Sequence, residues 1–350
     1  MPGRVAVVGV TGYGRRHLAN IADLGLTLAG VCDPLPVDVS PAYQDLDRML
    51  AECRPDITVI ATPIHTHAAI AETVLRAGSA VLLEKPPVTS LADLDRLLTV
   101  ASETGLPVEV GFQALGSGAV RRARELVTDG SWGTVRAVSA FGAWQRSSAY
   151  YGRAAWAGRR TLNGVPVVDG ALTNPFAHAL QNSLWLAGVA DRAATSVELE
   201  LFRANDIECD DTFCVRVTFP DAPMVVIAGT LCSEVNVPAS VLVHGDQVVE
   251  LAYEADTLDG RRFERVDQLA NLAAGGDPLC PLETVRAFTS VVEAVRDAPD
   301  PTPIAAEYWH EVRDPDGTRR VVAGVDGVVR RAATELRTFA EQGILWKGTT

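Results

Sequence analysis

The feature that most constrains the fold is a series of short apolar runs in the first third of the chain. They cover residues 5–8, 28–32, 57–61, 80–83 and 108–112. The first run, Val5–Val8, is continuously apolar, as expected for a strand that is buried on both faces of a sheet. Helix-like segments separate the runs, and strands that alternate with helices predict a parallel sheet with right-handed crossovers. The sequence therefore predicts a doubly wound α/β domain over residues 1–113.

Polar or glycine-rich features directly follow four of these runs. They are the glycine loop 9–14, Asp33, Thr62-Pro63 and Glu84-Lys85. The carboxyl ends of parallel strands meet at one edge of a sheet, where ligands of such domains bind. The sequence therefore predicts a ligand site at this edge, with Thr62, Pro63 and Glu84 among its residues.

The glycine loop resembles the dinucleotide-binding fingerprint of a Rossmann domain, which has glycine at its first, third and sixth positions. Those positions hold Gly9, Thr11 and Gly14, so Thr11 departs from the pattern. Gly12 can supply the flexibility, and the Thr11 hydroxyl can bond a phosphate oxygen. The helix that follows presents its N–H groups to phosphates. We expect these residues and Tyr13 to contact a cofactor; the alternative is a tight turn without a ligand.

Asp33 is the expected ribose-binding acid. It lies 19 residues after Gly14, close to the spacing of about 20 that is usual for this carboxylate. A carboxylate here accepts hydrogen bonds from ribose hydroxyls and repels a 2′-phosphate, which favours NAD. Arg15 and Arg16 keep NADP open as a cofactor, and a turn residue before Pro34 is the alternative for Asp33.

Lysine is nearly absent from the chain, yet one lysine follows a predicted strand. The sequence has 31 basic residues, of which Lys85 and Lys347 are lysines and the other 29 (31 − 2) are arginines. A desolvated lysine can release its proton near neutral pH, whereas arginine cannot. We therefore expect Lys85 to move a proton. The alternative is a lysine that merely occupies a loop.

The chain changes character after residue 113, which predicts a second, α+β domain over residues 114–350. Alternating patterns predict strands over 134–144, 195–202, 212–219, 224–231 and 241–251, and two late helices over 282–296 and 325–342. Ahead of one further helix lies a stretch rich in aromatic residues and arginine. Because aromatic faces stack on sugar rings and arginine binds hydroxyls, Tyr151, Arg153, Trp156 and Asp169 are expected to bind substrate. Core packing or a subunit contact is the alternative.

Charge and cysteine usage exclude several classes of function. The formal net charge of −13 argues against a nucleic-acid or anionic membrane surface. Six scattered cysteines without a Cys-x-x-Cys pair support neither a metal site nor a disulfide framework. The chain shows no signal-peptide pattern, and no apolar stretch reaches the roughly 18 residues of a membrane span. We therefore expect a cytoplasmic protein without a metal.

Several motifs together resemble the Gfo/Idh/MocA family of oxidoreductases. They are the glycine-rich first turn, Thr62-Pro63 followed by His67, Glu84-Lys85-Pro86 and Gly133-Thr134-Val135. The resemblance implies a Rossmann domain joined to an α+β domain with a large, open, mostly antiparallel sheet. In the family this sheet often forms an oligomer interface, so the resemblance implies a homo-oligomer, a dimer or a tetramer.

The resemblance also implies site residues. His67 would open its helix near the nicotinamide ribose, while Ile64 stands where the family has asparagine. The family carries Asp-x-x-x-His on a helix of the second domain, and here Asn174 takes the aspartate place and His178 the histidine place. Residues four apart share a helix face, so both are expected to face one site. A helix cap for Asn174 and a packing role for His178 are the alternatives.

The function implied is hydride transfer between nicotinamide and a hydroxyl-bearing carbon of a sugar, polyol or cyclitol. Lys85 and His178 would take the proton, and Asn174 would orient the substrate. Two other functions stay open. One is an NAD-using glycosidase with no net redox change, and the other is a non-catalytic sugar sensor, which the departures at Thr11, Ile64 and Asn174 favour.

Overall fold

The computed structural model describes residues 3–344 and 346, and its contacts divide the chain into two compact units. The first unit takes in the chain up to Gly116 together with Val266–Val285. The second takes in Ser117–Arg265 and the chain from Arg286 onward. Lys347 lies outside the described residues. The expected division at residue 113 into two continuous domains is incomplete, because a late segment belongs to the first unit.

In its described part, the first unit has a six-stranded parallel sheet in the order β3-β2-β1-β4-β5-β6. The strands are β1 (Arg4–Val8), β2 (Thr27–Cys32), β3 (Ala42–Tyr43), β4 (Ile57–Ile60), β5 (Ala80–Leu83) and β6 (Val108–Val110). The helices between them are α1 (Gly14–Asp23), α2 (Leu46–Cys53), α3 (His67–Arg76) and α4 (Leu91–Thr104). The strand order reverses between β1 and β4, which is where ligands of such sheets bind. The predicted doubly wound fold is confirmed.

Burial explains why these segments form strands. Val5, Val7 and Val59 are fully buried and pack with Ile21 of α1 in one apolar cluster. Apolar side chains on both faces of a strand require a layer of helices on each side. A side-chain cap begins α4, where Ser90 Oγ accepts the backbone N–H of Asp93 at 3.1 Å.

The second unit has a seven-stranded mixed sheet in the order β14-β13-β7-β12-β11-β10-β17, in which only the β7–β12 and β10–β17 pairs are parallel among the described strands. Its strands are β7 (Ala137–Gln145), β8 (Thr161–Leu162), β9 (Val165–Pro166), β10 (Ser196–Arg203), β11 (Thr212–Thr218), β12 (Met224–Thr230), β13 (Cys232–His244), β14 (Val248–Leu251), β15 (Thr257–Leu258), β16 (Arg261–Arg262), β17 (Thr302–Pro303), β18 (Trp309–Asp314) and β19 (Gly317–Val322). Its helices are α5 (Gly118–Thr128), α6 (Ser148–Tyr151), α7 (Ala177–Leu186), α9 (Arg286–Asp297) and α10 (Val325–Glu335). The expected large, mostly antiparallel sheet is confirmed.

Helices cover both faces of this sheet at its centre. On one face α10 packs against β7, where the Ser139 hydroxyl donates to the Ala333 carbonyl at 2.7 Å and the Arg330 guanidinium lies 4.3 Å from the Phe141 ring centroid. On the other face Phe176, directly before α7, stacks on Trp144 with centroids 4.4 Å apart. Helices of the chain itself therefore cover the centre of the sheet on both faces.

A buried carboxylate in β6 holds the late segment of the first unit. The Glu109 side chain is fully buried and accepts the N–H groups of Leu279 at 2.6 Å and Cys280 at 2.7 Å. It also accepts the side-chain amide of Gln268, which begins α8 (Gln268–Ala273), at 2.6 Å. Several donors offset the cost of burying the charge, so Glu109 attaches α8 to the sheet.

Two predicted elements of the second unit are wrong in extent. The strand expected over 241–251 is a hairpin, because the chain reverses between His244 and Val248. The helix expected over 325–342 ends at Glu335, because Leu336 takes a left-handed φ of 59° and its N–H closes the helix on Ala332. Among residues 3–344 and 346, no helix combines the length and apolar character that crossing a bilayer requires.

Candidate active site

Two glycines shape the loop at the carboxyl end of β1. Gly9 has a φ of 85°, and a Cβ there would lie 2.8 Å from Thr62 Cγ2. A Cβ on Gly14, the first residue of α1, would overlap the carbonyl oxygen of Gly9. Gly12 differs, since no atom of the described residues lies within 4 Å of where its Cβ would be. The first and last glycines thus bring helix and strand together, while Gly12 lies on the open side of the loop.

Asp33 ties this loop to the end of β2. Its carboxylate is 3 % exposed, and Oδ2 accepts the N–H groups of Val10 at 2.9 Å and Thr11 at 3.2 Å. The Thr11 hydroxyl, expected to face a phosphate, donates to the same oxygen at 3.3 Å. Oδ1 accepts the N–H of Leu35 at 3.0 Å, so Asp33 is also a turn residue before Pro34.

Glu84 connects α1 to the end of β5. Its Oε1 lies 2.7 Å from Nε2 of His17, and its Oε2 accepts the backbone N–H of Lys85 at 3.2 Å. A Cβ at Gly111 would lie 3.2 Å from Glu84 Oε2, so the glycine makes room for the carboxylate. Tyr13 is 43 % exposed and meets the His17 ring edge-on at 5.6 Å. The structure therefore brings Tyr13, Glu84 and the partly exposed Lys85 to the same edge of the sheet.

His67 holds the Lys85 segment against the end of β4. Its ring is 2 % exposed, with Nε2 at 2.8 Å from the Thr62 carbonyl oxygen and Nδ1 at 3.0 Å from that of Pro86 and 3.2 Å from that of Pro87. Burial lowers the pKa of His67, and its hydrogen bonds to these carbonyls oppose that effect only in part. His67 opens α3 as expected, and its ring lies against these backbone carbonyls.

The turn Thr62–Thr66 is closed by hydroxyl groups. Thr62 Oγ1 and Thr66 Oγ1 lie 2.6 Å apart, and Thr66 Oγ1 donates to the Pro63 carbonyl at 2.8 Å. Ile64, which stands where the family that the sequence resembles has asparagine, begins a short 3₁₀ turn here. Thr62 and Pro63 thus end β4 at the predicted edge.

In the second unit, the candidate catalytic residues lie on a buried run. Asn174, Pro175 and His178 are its partly exposed members, whereas the other residues from 167 to 184 are buried. His178 is the second residue of α7, but Asn174 precedes the helix by three residues. The expectation that Asn174 caps this helix or shares its face is therefore wrong, because α7 begins at Ala177 and has no side-chain cap.

Both oxygens of the Asp169 carboxylate accept hydrogen bonds from other residues of the protein. Oδ2 accepts the Arg153 guanidinium and the Gly158 N–H, both at 2.8 Å, and Oδ1 accepts the Asn174 side-chain amide at 2.5 Å. Its side chain is 5 % exposed. Asp169 is thus bonded to Asn174 rather than presented at the surface as a group for substrate hydroxyls.

The arginine and aromatic residues before this turn form one stack. The Arg153 guanidinium lies 3.9 Å from the Tyr150 ring centroid and 4.8 Å from that of Trp156. Tyr151 turns the other way, and its hydroxyl is buried without a hydrogen-bond partner among the described residues. Burial, with the nearby Asp211 charge, raises the pKa of Tyr151. The predicted substrate residues are therefore close in sequence but lie in two environments.

Sequence reasoning missed Asp210 and His17. Asp210 is buried, and its Oδ2 accepts the N–H of Leu172 at 3.0 Å, which anchors the turn that carries Asp169 and Asn174. Burial, and then the charges of Asp211 and Asp169, raise the pKa of Asp210 to about 7. His17 could have been found from its place four residues after Tyr13, since that spacing shares a helix face.

Comparison with known proteins identifies the family. A profile described as the oxidoreductase family with an NAD-binding Rossmann fold matches residues 3–112, and a profile of the GFO/IDH/MocA C-terminal domain matches residues 120–248. The chain belongs to the GFO/IDH/MocA family. The first match covers the glycine loop, Asp33 and Lys85, and the second covers Asp169, Asn174 and His178.

Two of the relatives are named for reactions of nucleotide sugars. The chain is 38 % identical over 99 residues to a dTDP-3,4-didehydro-2,6-dideoxy-alpha-D-glucose 3-reductase of Streptomyces violaceoruber, covering 28 % of this chain and 29 % of that protein. It is 34 % identical over 116 residues to a UDP-N-acetylglucosamine 3-dehydrogenase of Acidithiobacillus ferrooxidans, covering 31 % and 36 %. The chain thus matches about a third of the length of these relatives.

A solved structure confirms the fold over most of the chain. The WlbA dehydrogenase of Bordetella pertussis, in complex with NADH and UDP-GlcNAcA, matches with a TM-score of 0.70. The match is 23 % identical and covers 86 % of this chain and 98 % of that one.

Proposed function

We propose that this protein is an NAD-dependent oxidoreductase that transfers hydride between nicotinamide and a hydroxyl-bearing carbon of a sugar, polyol or cyclitol. The observation that carries the proposal is the arrangement at one edge of the parallel sheet. There the glycine loop follows β1, Asp33 follows β2 and Lys85 follows β5. A dinucleotide site and a residue able to move a proton thus meet where the strand order reverses.

The loop fits the pyrophosphate of NAD. The N-terminus of α1 has no side-chain cap and no acidic residue in its first turn, which holds Arg15 and Arg16. A helix N-terminus without competing carboxylates favours an anion, and Gly12 leaves its side of the loop open. Asp33 at the end of β2 favours NAD over NADP, although the two arginines keep NADP as an alternative cofactor.

The chemistry divides between the cofactor and this chain. Bound NAD supplies the hydride acceptor. Oxidation of an alcohol also requires a group that takes the hydroxyl proton, and Lys85 is our first choice, with His178 as the second. The side-chain amide of Asn174 is neutral and does not take up a proton. It therefore orients the hydroxyl, and Lys85 or His178 takes the proton.

The substrate class, assembly and location belong to the same proposal. The named relatives support a carbohydrate-like substrate, and Tyr150 and Trp156 offer aromatic surface suited to sugar rings. Six thiols, all buried and none joined in a disulfide, fit a reducing cytoplasm. We also propose a homo-oligomer. Its interface would lie away from the centre of the sheet face that α10 covers.

The experiment is NAD binding by calorimetry followed by an oxidation screen. D-glucose, myo-inositol and UDP-N-acetylglucosamine are offered with NAD or NADP while nicotinamide absorbance is followed. We expect NAD to bind more tightly than NADP and at least one compound to yield NADH. Absence of NAD binding would contradict the proposal outright.

A sugar sensor is the second candidate, and the asparagine in the usual aspartate place favours it. The same screen separates the two functions. A sensor would bind NAD and a sugar but yield no NADH with any compound, and adding the sugar would raise the affinity for NAD.

A further inference from the structure

A buried carboxylate holds the candidate catalytic asparagine from one side. Asn174 Nδ2 donates to Asp169 Oδ1 at 2.5 Å, across a turn of five residues. The assignment of the amide is chemically forced. A carboxylate only accepts hydrogen bonds, so the atom of an amide that faces it must be the NH₂ group.

This contact fixes what Asn174 presents on its other side. The oxygen and nitrogen of an amide point in different directions from the same carbon, so Oδ1 is directed away from Asp169. Oδ1 is an acceptor only. Asn174 therefore offers an acceptor there, as an aspartate would, but without adding a second charge.

Asp169 is itself held firmly enough to impose this orientation. Its Oδ2 accepts from Arg153 and from the Gly158 N–H, and the Arg153 guanidinium is stacked on Tyr150. The residue before it, Val168, takes a φ of 46°. A β-branched residue in the left-handed region is rare and is kept only where the surroundings determine it. The turn is thus fixed on both sides of Asp169.

We propose that Asp169 is a positioning residue that turns Asn174 so that its amide oxygen, and not its NH₂ group, accepts a hydrogen bond from the substrate hydroxyl. This deepens the proposed function and rests on it. It replaces the expectation that Asp169 binds substrate itself. It also explains how a chain with asparagine in the aspartate place keeps an acceptor there.

The first test is Asp169→Asn, which keeps the shape of the side chain. Its oxygen would stay with Arg153 and Gly158, so its NH₂ group would face Asn174. Asn174 must then turn its own oxygen toward residue 169 and present NH₂ to the substrate. We expect kcat to fall about 100-fold, as misplacement of reacting groups does, with the Kd for NAD changed less than about threefold.

The double variant Asp169→Asn with Asn174→Asp separates positioning from direct substrate binding. The NH₂ group of the new asparagine would donate to the new aspartate, which presents an acceptor oxygen to the substrate again. We expect kcat to recover to within about tenfold of wild type. If Asp169 bound the substrate directly, the double variant would stay as slow as Asp169→Asn, and that result would overturn the proposal.

Asn174→Asp alone tests the contact without any substrate. Two carboxylates would then meet beside Arg153, Tyr150 and Asp210, and one of them would hold a proton with a pKa above the unfolded value of about 3.9. The stability of this variant relative to wild type should be full below that pH and fall as the pH rises, measured as thermal midpoints at several pH values. The double variant should lack this loss. Equal pH profiles for the single variant and wild type would contradict the contact.

The two proposals fail in different ways. If wild type binds NAD but yields no NADH with any compound, the proposed function fails, while the stability profiles still decide the Asp169–Asn174 contact. If wild type is active and the double variant is not rescued, only the positioning role fails.

Discussion

A buried side chain holds the Lys85 segment of the first unit, and another holds the Asp169–Asn174 turn of the second. The first donates a hydrogen bond to the backbone, whereas the second accepts one. His67 bonds the carbonyl groups of Pro86 and Pro87, next to Lys85. Asp210 accepts the N–H of Leu172 in the turn of the second unit. Both side chains are buried. Each unit thus fixes its candidate catalytic residue with a buried group that can titrate.

The difference lies in how the two groups respond to pH. Burial favours the neutral form of both, which lowers the pKa of His67 below 6.5 and raises that of Asp210 from 3.8 to about 7. His67 is therefore neutral at and above neutral pH, whereas Asp210 is neutral only below about 7. The comparison teaches that acid weakens the first unit, whereas the stability that neutral Asp210 gives the second unit is full in acid and is lost as the pH rises from 3.8 to about 7.

We expect the largest effect on NAD binding from Gly14→Ala, which disrupts the glycine loop of the first unit. The added Cβ would overlap the Gly9 carbonyl oxygen, and such overpacking costs about 1–3 kcal/mol or more. We expect loss of NAD binding by calorimetry and a lower thermal midpoint.

Gly12→Ala is the matched control, because its Cβ meets no atom of the described residues. Stability should stay within about 0.5 kcal/mol of wild type, while NAD binds more weakly. A Gly14→Ala variant that binds NAD normally would contradict the loop geometry.

Asp210→Asn should remove the loss of stability that the second unit undergoes as the pH rises from 3.8 to about 7. The folded pKa of about 7 lies above the unfolded 3.8, so the contribution of Asp210 to stability is full below pH 3.8 and is lost as the pH rises through 7. By linkage this loss is up to roughly 4 kcal/mol. Denaturant unfolding at several pH values should show the slope in wild type and not in the variant.

The exposed Asp206, four residues earlier, supplies the control for that experiment. Asp206→Asn makes the same substitution at an exposed carboxylate, so the difference between the two variants isolates the effect of burial at Asp210. An unchanged slope in Asp210→Asn would show that Asp210 does not titrate in this way.

His67→Gln should produce a smaller effect with the opposite sign. The folded pKa of His67 is depressed, so its contribution is present above pH 6.5 and is lost as the pH falls below that value. We expect the variant to be destabilised by about 1–3 kcal/mol at pH 8, because the single N–H of the neutral imidazole no longer donates to a buried carbonyl, and less so in acid. The control is His310→Gln, which replaces an exposed histidine. Equal losses of stability in the two variants would show that the buried position of His67 does not stabilise the first unit.

Much of the fold of the first unit could be predicted because its signal is local. Short, largely apolar runs predicted β1, β2, β4, β5 and β6 to within a residue or two at most ends. Between Asp33 and Ile57 nothing was predicted, since β3 has two residues and α2 only eight. The late segment could not be assigned either, because the buried Glu109 that binds it lies about 160 residues away in sequence.

The site was predictable to the same degree. Strand ends placed Gly9, Asp33 and Lys85 correctly at one edge, since the topology of a parallel sheet dictates where its loops gather. The direction of each side chain could not be predicted, and His67 and Asp169 both bond to protein. Asp210 was missed because its raised pKa comes mainly from burial. The sequence of an acidic loop does not show which of its carboxylates is buried.

The most direct measurement compares NAD affinity and NADH formation in Lys85→Met and Lys85→Arg. Arginine keeps the positive charge but cannot release a proton near neutral pH, so it isolates the proton from the charge. We predict that both variants bind NAD within about threefold of wild type and lose about 1,000-fold or more in NADH formation. An arginine variant that forms NADH at the wild-type rate would contradict the account, because Lys85 would then supply only charge.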